Sequence, residues 1–189
     1  MRLRIVGGEL GRRFLTVPAP LDCFRPTLER SREAVAEIVK NRLAGAIVAD
    51  LCAGSGAMGF ELLSRGAAEV HFIESDRLRA AMIDGFCRSL HVEDRTRVIC
   101  DDVKRFTSRS EASYDLIYFD PPYENDSLAS LIGDLGKLLR EGGELLYERR
   151  TDRLLEPLLA GKPIKLVQSR CYGDSTIDFL ECAAPADKG

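Results

Sequence analysis

The sequence predicts an α/β fold: a mostly parallel, seven-stranded sheet with helices on both faces and a small β-hairpin ahead of it. Three observations carry this. From about residue 45, β-rich runs alternate with helical patterns; a glycine-rich turn follows the first of those runs; and the N-terminal segment RLRIVGGELGRRFLTVP holds extended pieces broken at Gly7-Gly8 and Gly11.

In chain order, the N-terminal segment reads as a hairpin whose basic side chains project from a rigid element. Val35, Ile38, Val39 and Leu43 then recur at helical spacing and predict an amphipathic helix starting just after Arg25-Pro26-Thr27. The expected sheet strands are Ile47 to Leu51, Val70 to Ile73, Val98 to Cys100, Leu116 to Phe119, Glu144 to Tyr147, Ile164 to Ser169 and Ile177 to Glu181. The helix after the second of these is expected to pack through Leu78, Met82 and Phe86. A longer one, carrying Leu128, Leu131, Ile132, Leu135, Leu138 and Leu139, is expected to end at a Gly142-Gly143 cap. This divides the chain into a basic hairpin arm over 1–26, a sheet domain over 27–183 and a frayed tail over 184–189.

A hydrophobic content of 45% in 189 residues suffices for one core, and no run nears the roughly 18 apolar residues of a membrane span. The N-terminus lacks the apolar stretch of a secretion signal, so the expected location is the cytoplasm. The six cysteines form no C-x-x-C pair and neither His71 nor His91 lies near a cysteine cluster. They are expected to be reduced, mostly buried and not to hold a metal. The net charge of −3 is unevenly spread: seven arginines against three acids give the first 32 residues +4, leaving −7 on the rest. A basic arm on an acidic body suits a phosphate-bearing partner or a plain solvated face.

The stretch VADLCAGSGAMGFELL, Val48 to Leu63, contains G-x-G-x-x-G at Gly54, Gly56 and Gly59. Any tight strand-to-helix turn that a ligand approaches closely needs such residues, so the glycines alone do not choose a ligand. Asp50 does. A dinucleotide's pyrophosphate would meet a carboxylate of its own sign, whereas S-adenosylmethionine brings an α-ammonium and a sulfonium and no phosphate. Glu74, ending the strand VHFIE, suits ribose hydroxyls, a demand both ligands share. Asp102 ends the third strand, with Asp101 its rival, and Val103 begins the next packed turn.

D-L-C-A-G-S-G resembles motif I of the class I methyltransferases, with their Rossmann-like fold and S-adenosylmethionine cofactor. The resemblance places the donor against Asp50, Cys52, Gly54, Ser55, Gly56, Glu74, Asp102 and Val103. The fourth strand breaks into Asp120-Pro121-Pro122-Tyr123, which resembles motif IV of the methyltransferases of exocyclic base amines. Such an amine is planar and weakly nucleophilic. Acceptors at the Asp120 carboxylate and the Pro121 carbonyl hold its N–H bonds out of conjugation, and Tyr123 offers a ring for stacking worth about 1–3 kcal/mol. Carbon-5 methylation of a pyrimidine needs a cysteine nucleophile, and the loop after this strand has none.

The motif by itself leaves adenine N6, cytosine N4 and guanine N2 open. R-I-V-G-G-x-x-G-R-R at 4–13, R-P-T-x-x-R-x-R-E at 25–33, and R-x-Y-G-D-S-T-x-x-x-F near the C-terminus together resemble the RsmD family of 16S ribosomal RNA guanine-N2 methyltransferases. The resemblance implies methylation of the guanine at nucleotide 966, on an assembling 30S particle, by a monomer. It also implies that Arg12, Arg13, Arg25, Arg30 and Arg32 face RNA and that Thr27 lies near the donor. Cys52 and Met58 stand where the family often has Phe and Leu, a difference of packing. The competing readings are a DNA amine methyltransferase, for which there is no room for a recognition domain, a non-catalytic ribosome-assembly factor, and a nicotinamide oxidoreductase.

Overall fold

The computed structural model describes residues 1–21, 29–122 and 126–182. Strand β1 (Arg2–Arg4) pairs antiparallel with β2 (Phe14–Thr16), Leu3 opposite Leu15, and this forms the expected hairpin. Alternation turns Leu3 and Leu15 inward, and with Ile5, Leu10 and Val17 they join the same apolar cluster as the main sheet. The hairpin is therefore one wall of the core.

Its attachment is polar as well. Glu61, fully buried in α2 (Ala57–Ser64), accepts the backbone N–H groups of Val6 at 2.7 Å and Gly7 at 3.0 Å, and is paired with Arg65 at 2.8 Å. The backbone N–H of Glu9 donates to the Ser64 carbonyl at 2.8 Å, and that of Leu10 to the Ser64 hydroxyl at 2.9 Å. An eight-residue helix is marginal in water. This one is buried along its whole length between hairpin and sheet, so tertiary packing sustains it.

The sheet contains β3 (Ile47–Leu51), β4 (Glu69–Glu74), β5 (Thr96–Cys100), β6 (Tyr114–Phe119), β7 (Leu139–Arg150), β8 (Ile164–Tyr172) and β9 (Ser175–Cys182), in the order β5-β4-β3-β6-β7-β9-β8. The first five in that order run parallel, and β9 lies antiparallel between β7 and β8. Successive residues face opposite layers: Val48, Leu116 and Phe72 belong to one apolar cluster, Ala49, Ile117 and Ile73 to the other. With both faces covered, the central strands read as continuous apolar runs. The strand order reverses between β3 and β6, which opens a crevice at their carboxyl ends.

Three helical expectations are corrected. Helix α1 (Glu29–Val39) buries Arg32, Val35, Ala36 and Val39, an i, i+3, i+4, i+7 stripe that leaves Ile38 exposed. Helix α3 (Arg77–Leu90) buries Ala80, Ile83, Cys87 and Leu90; Met82 and Phe86 are half-buried at its flank, and Leu78 is exposed. Asp76 caps this helix, accepting from Leu78 and Arg79 N–H groups, and small Ala80 takes the place in the core that the sequence pattern assigns to a larger residue.

The segment read as one long helix is broken into α5 (Asp126–Ala129), α6 (Ile132–Leu135) and a 3-10 turn over Gly136–Leu138, after α4 (Val103–Arg109) and before β7. Gly142-Gly143 lies inside β7, where pairing jumps from Tyr114 with Leu139 to Leu116 with Glu144. Gly142 has φ +75°, and a Cβ on Gly143 would stand 3.0 Å from the Tyr114 carbonyl oxygen. The glycines thus make a bulge rather than a helix cap. Among the described residues no helix is long and apolar enough to cross a membrane.

Candidate active site

The turn after β3 takes left-handed backbone three times in five residues, at Cys52 (φ +60°), Gly54 (φ +58°) and Gly56 (φ +73°). Glycine adopts this freely, whereas Cys52 is held there by its surroundings. The Gly56 N–H donates to the Ala53 carbonyl at 2.7 Å, and the Ser55 hydroxyl accepts from the Ala57 N–H at 3.3 Å, which launches α2. A Cβ on Gly54 would meet nothing nearer than the Cys52 carbonyl at 3.8 Å, so the turn presents open backbone to the crevice. Gly59 faces inward: a Cβ there would strike the Phe72 ring at 2.3 Å.

Acidic side chains converge on this turn. Asp50 is 2% exposed and accepts the Gly59 N–H at 2.9 Å; burial, opposed by that bond and reinforced by Glu74, raises its carboxyl to about 8. Glu74, also buried, accepts the Gly54 N–H at 2.8 Å and the Asp76 N–H at 2.9 Å, so it braces the turn. Asp102 is exposed at the start of α4, where one oxygen caps Lys104 and Arg105 and leaves the other open; Val103 behind it is buried. Asp101 is committed to an ion pair with Arg105. The Cys52 thiol is pushed up by burial first and then by Asp120, Glu74, Asp50 and Asp102, which puts all four acids around one side chain.

A pyrophosphate would keep Asp50 and Asp120 in their protonated forms, whereas a cationic ligand draws them into their charged forms and gains their attraction; the open backbone at Gly54 gives that ligand a surface to lie on. S-adenosylmethionine fits the residues present.

Strand β6 lies against β3, with Phe119 opposite Leu51, so Asp120 leaves the sheet beside the glycine turn. Its N–H reaches the Leu51 carbonyl at 3.4 Å. The Asp120 carboxyl is driven well above the usual range by burial, then by the charges of Glu148 and Asp50. Pro121 is buried and Pro122 exposed. Tyr123 lies outside the described residues, as do Arg25 and Thr27.

Arg12 and Arg13 are exposed at the hairpin tip, and Arg30 is exposed on α1. Arg32 departs from expectation. It is 2% exposed, donates to the Arg4 carbonyl at 2.9 Å, and takes the first place in the buried stripe of α1, where burial lowers its pKa against the opposing charges of Glu61 and Glu29. The guanidinium ties α1 to the hairpin from inside the protein rather than standing at its surface. The cysteines also differ from expectation: Cys87 is buried and Cys52 half-buried, but Cys100, Cys171 and Cys182 are exposed, since they sit at strand edges and ends. Cys23 lies outside the described residues.

Two residues of the site went unread in the sequence. Tyr118 precedes Asp120 by two positions and so shares its face, and its hydroxyl donates to the buried carboxylate of Glu148 in β7. Strand alternation in YDLIYFD carried the signal for Tyr118; nothing local marks Glu148.

A reversing parallel sheet, a glycine turn ringed by acids and an Asp-Pro-Pro exit on the adjacent strand define a class I, S-adenosylmethionine-dependent methyltransferase. The family model described as Conserved hypothetical protein 95 matches residues 3–181, and the chain belongs to that family, the RsmD family. It is 31% identical over 147 residues to Ribosomal RNA small subunit methyltransferase D of Escherichia coli (strain K12), covering 78% of this chain and 71% of the relative. The solved structure of yhhF from Escherichia coli superposes with a TM-score of 0.84 at 25% identity, covering 98% of this chain and 100% of that one. SMU.776, solved in complex with SAH, shares the fold at a TM-score of 0.67 and 14% identity, over 81% of this chain and 50% of that chain.

Proposed function

We propose that this chain methylates the exocyclic N2 of a guanine in 16S ribosomal RNA, at the position equivalent to nucleotide 966, acting as a monomer in the cytoplasm on an assembling 30S particle. The observation that carries the reading is the meeting of Asp120-Pro121-Pro122 with the four-acid crevice at one end of the sheet. When bound, S-adenosylmethionine supplies a methyl group on a sulfonium, activated toward a weak nucleophile.

The chain's own residues do the rest. Asp50, Cys52, Gly54, Ser55 and Gly56 receive the methionine end, Glu74 the ribose, Asp102 and Val103 the adenine, with Thr27 close to the donor. Asp120 and the Pro121 carbonyl accept the N–H bonds of the amine, Pro122 keeps the loop shape constant and Tyr123 stacks on the base. Holding nitrogen in line with the methyl carbon draws on the roughly 7–11 kcal/mol available from positioning. Arg12, Arg13, Arg25 and Arg30 take phosphates, and the particle supplies the remaining specificity.

The experiment is methyl transfer from labelled donor to 16S rRNA from cells lacking the gene, both naked and within 30S particles, with the modified nucleoside identified by mass. N2-methylguanosine formed on particles is expected. N6-methyladenosine or N4-methylcytidine overturns the base assignment, and transfer to naked RNA alone overturns the particle.

A further inference from the structure

The Asp120 carboxyl has a neighbour that neither motif provides. Where β6 pairs with β7, Phe119 stands opposite Tyr147 as the last pair, so Asp120 leaves β6 one residue beyond it, at the level of Glu148 in β7, and the two carboxyls feel each other. They share the sheet face of Tyr118, which stands opposite Asp50 on β3. Glu148 is 3% exposed, its Oε2 accepts the Tyr118 hydroxyl, and Leu146 beside it on β7 and Ile177 opposite it on β9 are apolar. Packing alone would favour another apolar residue at this place.

We propose that Glu148 is a positioning residue for the methyl transfer: held by Tyr118, it keeps the adjacent Asp120 carboxyl basic, so that Asp120 takes up the proton the amine must release. This rests on the reading of Asp120 as the group that faces the amine. As the nitrogen bonds to the methyl carbon, the carbon–sulfur bond breaks and its electron pair stays on sulfur. Nitrogen then holds one proton too many, which passes to a carboxylate oxygen of Asp120 and on to solvent.

An ordinary carboxylate, with a pKa of about 4, is a poor acceptor near neutrality. A carboxylate charge alongside makes the proton harder to lose, and after burial Glu148 is the first group to act on Asp120 in this way, ahead of Asp50. Among the described residues, the other titratable and charged groups around the pair include Tyr118, Cys52 in the turn, Glu74 from β4, Asp102 from the start of α4, Arg150 two residues along β7, and Arg32 from α1, which acts on Tyr118 and is balanced by Glu61 and Glu29.

The test measures total methyl transferred to 16S rRNA in single turnovers between about pH 5 and 9, for the full chain and for Glu148→Gln. Gln keeps the shape and an acceptor for Tyr118 but removes the charge. The acid limb of the rate profile is expected to move to lower pH by about one unit, with the plateau rate reduced several-fold and donor affinity within threefold. Glu148→Asp, which restores the charge, should bring the limb back towards that of the native chain. Glu148→Met, compatible with Leu146 and Ile177, carries the same expectation as Gln should Gln fail to fold. A limb that stays in place when the charge is removed overturns the proposal. The readout counts methyl groups on any nucleoside, so it stands apart from the nucleoside identity that decides the function.

Discussion

The backbone N–H of Gly59 reaches back across the turn to the Asp50 carboxyl at 2.9 Å, which makes the end of β3 and the first turn of α2 a single unit. Gly59 is held to glycine from two sides, since an added Cβ would stand 2.3 Å from the Phe72 ring and 2.9 Å from Asp50 Oδ2. The turn after β3 is therefore braced by its own side chains and backbone.

That bracing sets a pH dependence. Folded, Asp50 keeps its proton up to about 8, while in the unfolded chain it loses it near about pH 4. Its contribution to stability is present below the lower value and lost as pH rises towards the upper one. Asp50→Asn removes that loss while keeping an acceptor for Gly59. In the absence of ligand it should melt above the native protein at pH 8, by about 2–4 °C per kcal/mol relieved, with the gap closing towards pH 4. Above about pH 8, where folded Asp50 is charged, the same variant should bind the cationic donor at least tenfold more weakly, roughly 1.4 kcal/mol. Thermal melts across pH and donor titration check both.

Undocking the hairpin should need only one atom group. A Cβ on Gly8 (φ +73°) would lie 1.8 Å from the Ser64 carbonyl oxygen, and both are backbone-fixed. Gly8→Ala should expose the Arg12-Arg13 bond to trypsin while the sheet keeps its circular dichroism. Glu61→Gln, which loses the charge facing Arg65 and one of two acceptors, should lower urea stability by about 3 kcal/mol.

On the proposed reading that Asp120 faces the base, Asp120→Ala should abolish methyl transfer while leaving donor affinity within a few-fold. Calorimetry with the donor and single-turnover transfer separate the two. A collapse of donor binding would instead make Asp120 part of the donor pocket.

Reversing charge at Arg12 and Arg13 should weaken RNA binding and flatten its dependence on salt by about 1–2 in the slope of log K against log salt. Arg32→Ala should leave that slope unchanged and lower the melting temperature, since its buried guanidinium holds the Arg4 backbone carbonyl of the hairpin.

What the sequence made legible was chemistry that demands particular residue types at fixed spacing. Asp50, Gly54 and Gly56, Glu74 and Asp120 are near neighbours in chain or strand order, and the strands that carry them are plainly apolar. Packing was less legible. Leu128 to Leu139 satisfies a helical stripe, but Tyr114 and Leu116 in a distant strand draw Gly142-Gly143 into a bulge, a long-range demand that no local pattern encodes. Arg32 looked like a basic surface residue because its type prefers water; the phase of α1, set by Val35, Ala36 and Val39, overrode that preference. The place of Glu148 beside Tyr118 comes from a pairing register between strands that the chain brings together only on folding.

Helix α2 spans Ala57–Ser64, so the donor turn at one end and the hairpin bonds at the other are joined by a strut about 12 Å long. An arm on a flexible tether would lose freedom whenever it gripped a partner, and affinity would fall accordingly. Here the arginine-bearing tip is already at a fixed reach from the crevice, so with the proposed roles of the two ends the protein would measure its target like a caliper. A single-residue insertion in α2, rotating the remainder of the helix by about 100°, should change which nucleotide the protein presents to Asp120.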